Sequence, residues 1–120
     1  MVMSSSAAPS AADVLHARYA GRLPASLEKL AGPRHGVVEL PLHVAWSGLR
    51  SYDLERPRLR MGLYRTVLAE GQHEDLVAFL NRDLLLAQWP VLRTLVSRHL
   101  REVWEGTFPE LLAATGSAAA

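Results

Sequence analysis

The sequence predicts a mainly α-helical fold, a compact bundle of about four to five short helices preceded by one extended, strand-like arm. Two patterns carry this expectation. From about Pro57 onward, apolar residues recur with the three-to-four spacing of helices that bury one face. Ahead of that region, residues 37–46 (V-V-E-L-P-L-H-V-A-W) alternate strictly. Val38, Leu40, Leu42, Val44 and Trp46 fall on one side, and Val37, Glu39, Pro41, His43 and Ala45 on the other, the period-2 pattern of a half-buried strand. No second run of this kind is visible, so the strand is expected to be an arm with an edge open to another chain.

In chain order, residues 1–11 are small or polar and read as a loose tail. Asp13 is placed to cap a short helix with Val14, Leu15, Arg18 and Tyr19, ending at Gly21. A second short helix is expected to start near Pro24, present Leu27 and Leu30, and stop at Gly32-Pro33. Gly36 releases the chain into the arm, where Pro41 cannot donate to a ladder and so marks an edge. Residues 51–56 read as a polar lead-in. Leu59, Leu63, Tyr64, Val67 and Leu68 then share one face of a helix that Gly71 closes. Glu74 and Asp75 favour the start of the next helix, which buries Leu76, Val77, Phe79 and Leu80. Asn81 caps a helix carrying Leu84, Leu85, Leu86 and Trp89, with a break or a fresh first turn at Pro90. Leu92, Leu95, Val96, His99, Leu100, Val103 and Trp104 form a stripe on a last helix ended by Gly106. Phe108, Leu111 and Leu112 fold back as a lid, and residues 113–120 read as a second loose tail. The whole is one helical domain over residues 12–112.

Composition narrows the function classes. There is no cysteine, which excludes disulfides and thiolate metal sites. A formal net charge of +1 does not supply the positive field that nonspecific nucleic-acid binding needs. Lys29 is the only lysine beside twelve arginines, a bias that fits a GC-rich bacterial genome or selection for arginine chemistry. The N-terminus lacks the basic start and apolar core of a secretory signal, and no apolar run reaches the ~20 residues of a bilayer span. A cytoplasmic location is expected.

The arm is the leading candidate site. Val38, Leu40, Leu42, Val44 and Trp46 would bind another protein, or a second copy of the chain, by β-augmentation or by docking in a groove. Pairing with some segment of the same chain is the plainer alternative. Of the arginines Arg50, Arg56, Arg58, Arg60 and Arg65, three (Arg56, Arg58 and Arg60) lead as contacts to anions or an acidic partner, against a solvated helix face. Gly71 between two helices raises a helix-turn-helix, but His73, Glu74 and Asp75 at the start of its second helix would set carboxylates against phosphates.

No catalytic residue, cofactor or metal site is expected. Ser47 sits in W-S-G-L instead of a nucleophile elbow, and no phosphate-cradling glycine loop is present. Asp53 and Glu55 read as charges ahead of a helix. His73 has no histidine partner at i+4; His16, His35 and His43 lack ligand spacing; and His99 on its apolar stripe reads as a packed histidine.

From Leu40 through Leu111 the chain resembles a group of small, mostly uncharacterised proteins from high-GC actinobacterial genomes. The segments carrying the likeness are L-H-V-A-W-S-G, Y-D-L-E-R-P-R-L-R, L-Y-R-T-V-L-A-E-G, E-D-L-V-A-F-L-N-R-D-L-L and W-P-V-L-R. Some members accompany nucleotidyltransferase-like toxins of the abortive-infection type. The resemblance therefore implies an antitoxin-like or accessory role with such a toxin as partner, and transfers no functional residue. The alternative is a dimeric DNA-binding regulator using an arginine-rich surface.

Overall fold

The computed structural model describes residues 10–46 and 48–119. The protein is mainly helical, with a small two-stranded sheet near its start. Its first helix, α1 (Ala11–Ala20), opens with a capping box: the Asp13 N–H donates to Ser10 Oγ, and the Ser10 N–H donates to the Asp13 carboxylate. Ser10, not Asp13, is therefore the cap. Most of the tail expected at residues 1–11 lies outside the described residues. Helix α1 contributes no fully buried residue and lies along α5 (Arg98–Thr107).

The short helix expected after Pro24 is a single 3-10 turn, Leu27–Lys29, that sinks Leu27 into the core. The chain then runs past α3 (His73–Phe79): the Ala31 N–H donates to the Val77 carbonyl and the Gly32 N–H to that of Leu80, both at 2.8 Å. Here Gly32 is required by space, because a Cβ would lie 2.4 Å from the Phe79 carbonyl carbon.

The extended segment is much shorter than its alternation suggested. Strand β1 is Val37–Glu39, and it pairs antiparallel with β2, Ser51–Asp53, in the register Val37↔Asp53, Val38↔Tyr52, Glu39↔Ser51. Residues 51–56, read from sequence as a lead-in, thus contain the missing partner strand. The hairpin buries Val38 and Tyr52 in the core, so residues 37–46 are not a free arm.

Helix α2 (Pro57–Glu70) has proline in its first turn and buries Leu63, Tyr64, Val67 and Leu68, as the periodicity predicted. Burial pushes the Tyr64 hydroxyl up to about 12, while the Asn81 N–H donating to it opposes the shift. Helix α3 (His73–Phe79) starts with Asp75 accepting from the Gln72 N–H at 2.8 Å. Asn81 caps α4 (Arg82–Leu92), its side-chain oxygen accepting from the N–H groups of Asp83 and Leu84.

Two expected boundaries move. Pro90 lies inside α4, one turn from its end, where it forfeits only the bond to the Leu86 carbonyl while buried Trp89 and Leu92 keep the turn in place. The apolar stripe from Leu92 to Trp104 is not one helix. A turn separates α4 from α5 (Arg98–Thr107), and Ser97 caps α5 by accepting from the Leu100 N–H. Gly106 stays inside α5. Phe108 and Leu111 are buried as the lid predicted, and α6 (Pro109–Ala119) continues through most of the region expected to be a loose tail.

One connected set of buried residues holds these elements together. Trp89 and Trp104 are its largest members, and the Trp104 and Phe108 rings lie 5.4 Å apart. The α4–α5 corner is fixed by Glu105, which accepts from Trp89 Nε1 at 2.9 Å and from Arg93 through Nε at 2.6 Å and Nη2 at 3.2 Å. The Arg93 guanidinium, aided by Trp89 and opposed by burial, holds the Glu105 carboxyl below its ordinary range.

Candidate interaction surface

The connection between β1 and β2 is built from a proline turn and a glycine. Pro41 presets the backbone, and its carbonyl accepts from the N–H groups of Val44 and Ala45, both at 3.0 Å. Gly48 has φ +80°, a left-handed conformation that glycine adopts without strain. Three further bonds shape the loop, two within the hairpin and the third to α3. The Leu40 N–H donates to the Arg50 carbonyl at 2.8 Å, Tyr52 Oη donates to the Leu49 carbonyl at 3.0 Å, and His43 Nε2 bonds Asp75 Oδ2 at 2.8 Å.

This geometry divides the five residues predicted to bind a partner. Val38, Leu40 and Val44 are core residues, 8%, 0% and 1% exposed. Leu42 and Trp46 stand outside, 63% and 72% exposed. The turn at Pro41 is the cause: it ends the pleat, so Val44 returns to the core through a reversal of the chain while Leu42 is left at the tip. Leu49, 51% exposed, adds a third large apolar side chain within the same eight residues. The sequence reading missed Leu49 because it lies beyond the alternating run.

The sheet leaves backbone groups open as well. Gly36 pairs with Leu54, and Leu40 with Arg50, through ladder hydrogen bonds. In an antiparallel pair the bonded positions alternate, so the N–H and C=O groups of Val37 and Glu39 point away from β2. Both residues are exposed, but this edge is only one short strand long.

The arginines also separate. Arg56 is exposed and lies 3.8 Å from Asp53. Arg58 is exposed and borders a shallow groove of about 240 Å³ with Met61, Gly62, Arg65 and Leu95. Among the described residues, no carboxylate forms an ion pair with Arg58 or Arg65. Arg60 instead turns inward, where its Nη1 donates to the Leu54 carbonyl at 2.9 Å and terminates the hairpin against α2. Arg65 joins Arg58 on the groove, and Arg60 does not.

Two residues of the His73, Glu74 and Asp75 run have structural roles. His73 Nδ1 donates to the Arg22 carbonyl, and Asp75 is used in its cap and by His43. Glu55 accepts from the Gly36 N–H and faces His35, which ties the base of the hairpin together. Ser47 lies outside the described residues.

One cluster joins residues the sequence kept apart. His16 on α1 meets His99 and Glu102 on α5, with one ligand-type atom of each within 4.8 Å of the others. His16 Nδ1 donates to the Ala12 carbonyl at 2.8 Å, and Nε2 lies 3.0 Å from Glu102 Oε1. The His16 pKa is raised, chiefly by the Ala12 carbonyl and then by the Glu102 carboxylate. The His16 and His99 rings meet edge-on at 4.9 Å, and His99 Nδ1 is buried with no hydrogen-bond partner among the described residues. The i, i+3 spacing of His99 and Glu102 was a readable signal; the approach of His16, distant in sequence, was not.

No helix among the described residues is long and apolar enough to cross a membrane. Compared with known proteins, the chain matches no family model, no curated protein and no solved structure.

Proposed function

We propose that this chain is a non-enzymatic protein-interaction module that binds another protein through the tip of its β1–β2 hairpin. The antitoxin-like or accessory role implied by its sequence resemblance is the form of this reading we favour. One observation carries it: Leu42, Trp46 and Leu49 are more than half exposed on a loop that a local bond from Tyr52 shapes and a bond from His43 to Asp75 ties to the body. Exposing a tryptophan and two leucines within eight residues forgoes burial, and a pre-set loop lowers the ordering cost of binding. Tryptophan is also the residue type most often found at the energetic centre of protein interfaces. Side-chain docking at the tip is a better fit than long strand addition, because the open β1 edge presents only Val37 and Glu39.

The experiment is size-exclusion chromatography with light scattering on the purified chain, alone and after co-expression with the product of the adjacent gene. A complex with that product, or with a second copy, is expected for the natural sequence and is lost in Leu42→Asp/Trp46→Asp with helical circular dichroism unchanged. A complex that survives the double substitution would overturn the assignment to the tip.

The second reading, a dimeric DNA-binding regulator, draws on the groove bordered by Arg58 and Arg65. It requires DNA binding that weakens steeply with salt and is lost in Arg58→Ala/Arg65→Ala. Binding that ignores either change would dismiss it.

A further inference from the structure

We propose that His16, His99 and Glu102 form a site for a divalent, zinc-class metal ion that ties α1 to α5. The argument starts from the donor set. Two imidazoles and one carboxylate are ligands that suit zinc and its neighbours, and three protein ligands leave one position of a tetrahedron to water. In such a site, zinc–nitrogen and zinc–oxygen bonds of about 2.1 Å set neighbouring ligand atoms about 3.3 Å apart. His16 Nε2 and Glu102 Oε1 are 3.0 Å apart, and all three ligand atoms fall within 4.8 Å. Small side-chain rotations close that gap, since all three residues are only partly buried or exposed.

The hydrogen bonds around the cluster match the arrangement a metal needs. A ligating histidine ordinarily donates its other ring N–H to a carbonyl or carboxylate, which orients the ring and directs the remaining lone pair at the metal. His16 does this within its own helix, with Nδ1 donating to the Ala12 carbonyl. That leaves Nε2 facing a carboxylate oxygen, two atoms that can share a position only with a cation, a proton or a metal ion, between them. Glu102 divides its oxygens. Oε2 pairs with Arg98 at 3.4 Å, while Oε1 is turned to His16. His99 supplies the independent observation: Nδ1 is buried and has no hydrogen-bond partner among the described residues. A nitrogen in that state costs free energy, and rotation of the ring toward a bound ion would put it to use.

A structural consequence follows from the placement. Helix α1 contributes no fully buried side chain, and its Tyr19 packs against the core only partly buried. An ion bridging His16 to His99 and Glu102 would make α1 docking depend on metal.

The test uses the full-length chain without a histidine tag. Zinc titrated by calorimetry is expected to bind at one equivalent, and cobalt is expected to give visible absorption bands from a low-coordinate site. His99→Ala and Glu102→Gln are expected to weaken binding by more than about a hundredfold, beyond the range for loss of a supporting outer contact. His35→Ala is expected to leave binding unchanged. Zinc is also expected to slow tryptic cleavage after Arg18 in the natural chain and not in Glu102→Gln, a side chain exposed enough that its replacement spares the fold. Absence of one-equivalent binding would overturn the proposal. So would binding that persists in both His99→Ala and Glu102→Gln, which would mark adventitious capture by surface histidines.

Discussion

Truncating Leu40 and Leu42 separately to alanine tests the account of the hairpin at single-residue resolution. The two leucines are separated only by Pro41 and lie on the same side of the alternating pattern, so a continuous strand would treat them alike. The structure does not: Leu40 is 0% exposed and Leu42 is 63% exposed. Leu40→Ala removes three carbon atoms from a fully buried site, at a cost of about 2–4 kcal/mol. The Leu40 N–H bond to the Arg50 carbonyl is unaffected, so the loss comes from packing alone. Leu42→Ala changes a side chain already in water and should stay within about 0.5 kcal/mol. With a urea slope of about 1–1.5 kcal/mol per molar, the midpoint falls by roughly 2 M for Leu40→Ala and by less than about 0.5 M for Leu42→Ala. Equilibrium urea unfolding followed by circular dichroism provides the readout, with an unchanged slope as the check on two-state behaviour. Equal midpoint shifts, or a larger one for Leu42→Ala, would refute the turn at Pro41 and restore a single strand over residues 37–46.

Gly32→Ala forces a Cβ to within 2.4 Å of the α3 backbone at Phe79, and thermal unfolding should show a loss of about 2–3 kcal/mol or more. Glu105→Gln replaces a charge-assisted fork to Arg93 and should cost about 2–3 kcal/mol in chemical denaturation. The folded carboxyl of Glu105 sits below its ordinary value of 4.5, so its contribution is complete above that pH and lost as pH falls through the folded value. The natural chain should therefore lose stability below pH 4.5 more steeply than Glu105→Gln; parallel curves would contradict the pairing. Arg60→Ala strips the bond to the Leu54 carbonyl and should cost about 1–2 kcal/mol, whereas Arg58→Ala should fall within about 0.5 kcal/mol by the same measurement.

How much of this was legible depended on whether a signal was local. Helix α2 could be read from Leu63, Tyr64, Val67 and Leu68, and the start of α4 from Asn81, because periodicity and capping lie in adjacent residues. Strand β2 could not, since Ser51–Asp53 offers one apolar residue between two polar ones and gains its identity from pairing with β1. The alternation of residues 37–46 misled for a related reason. Burial pattern records which side chains reach the core, and a proline turn can return Val44 there as readily as a pleat can. The join between α4 and α5 was hidden by an apolar stripe that runs straight through it, although Ser97, an available N-cap, lay in view. For the candidate surface, the composition of the tip was readable but its exposure was not, because the turn at Pro41 that leaves Leu42 outside is told from a continued strand only by the pairing of β1 with β2.

The most direct test of the tip as a binding surface is site-specific photo-crosslinking in the native host. A photo-reactive amino acid would replace Leu42 or Trp46 in turn, with exposed Glu28 as the control position away from the hairpin tip. The account predicts a discrete adduct with one protein chain from positions 42 and 46 and none from position 28. Adducts absent at the tip, or equal at all three positions, would contradict it.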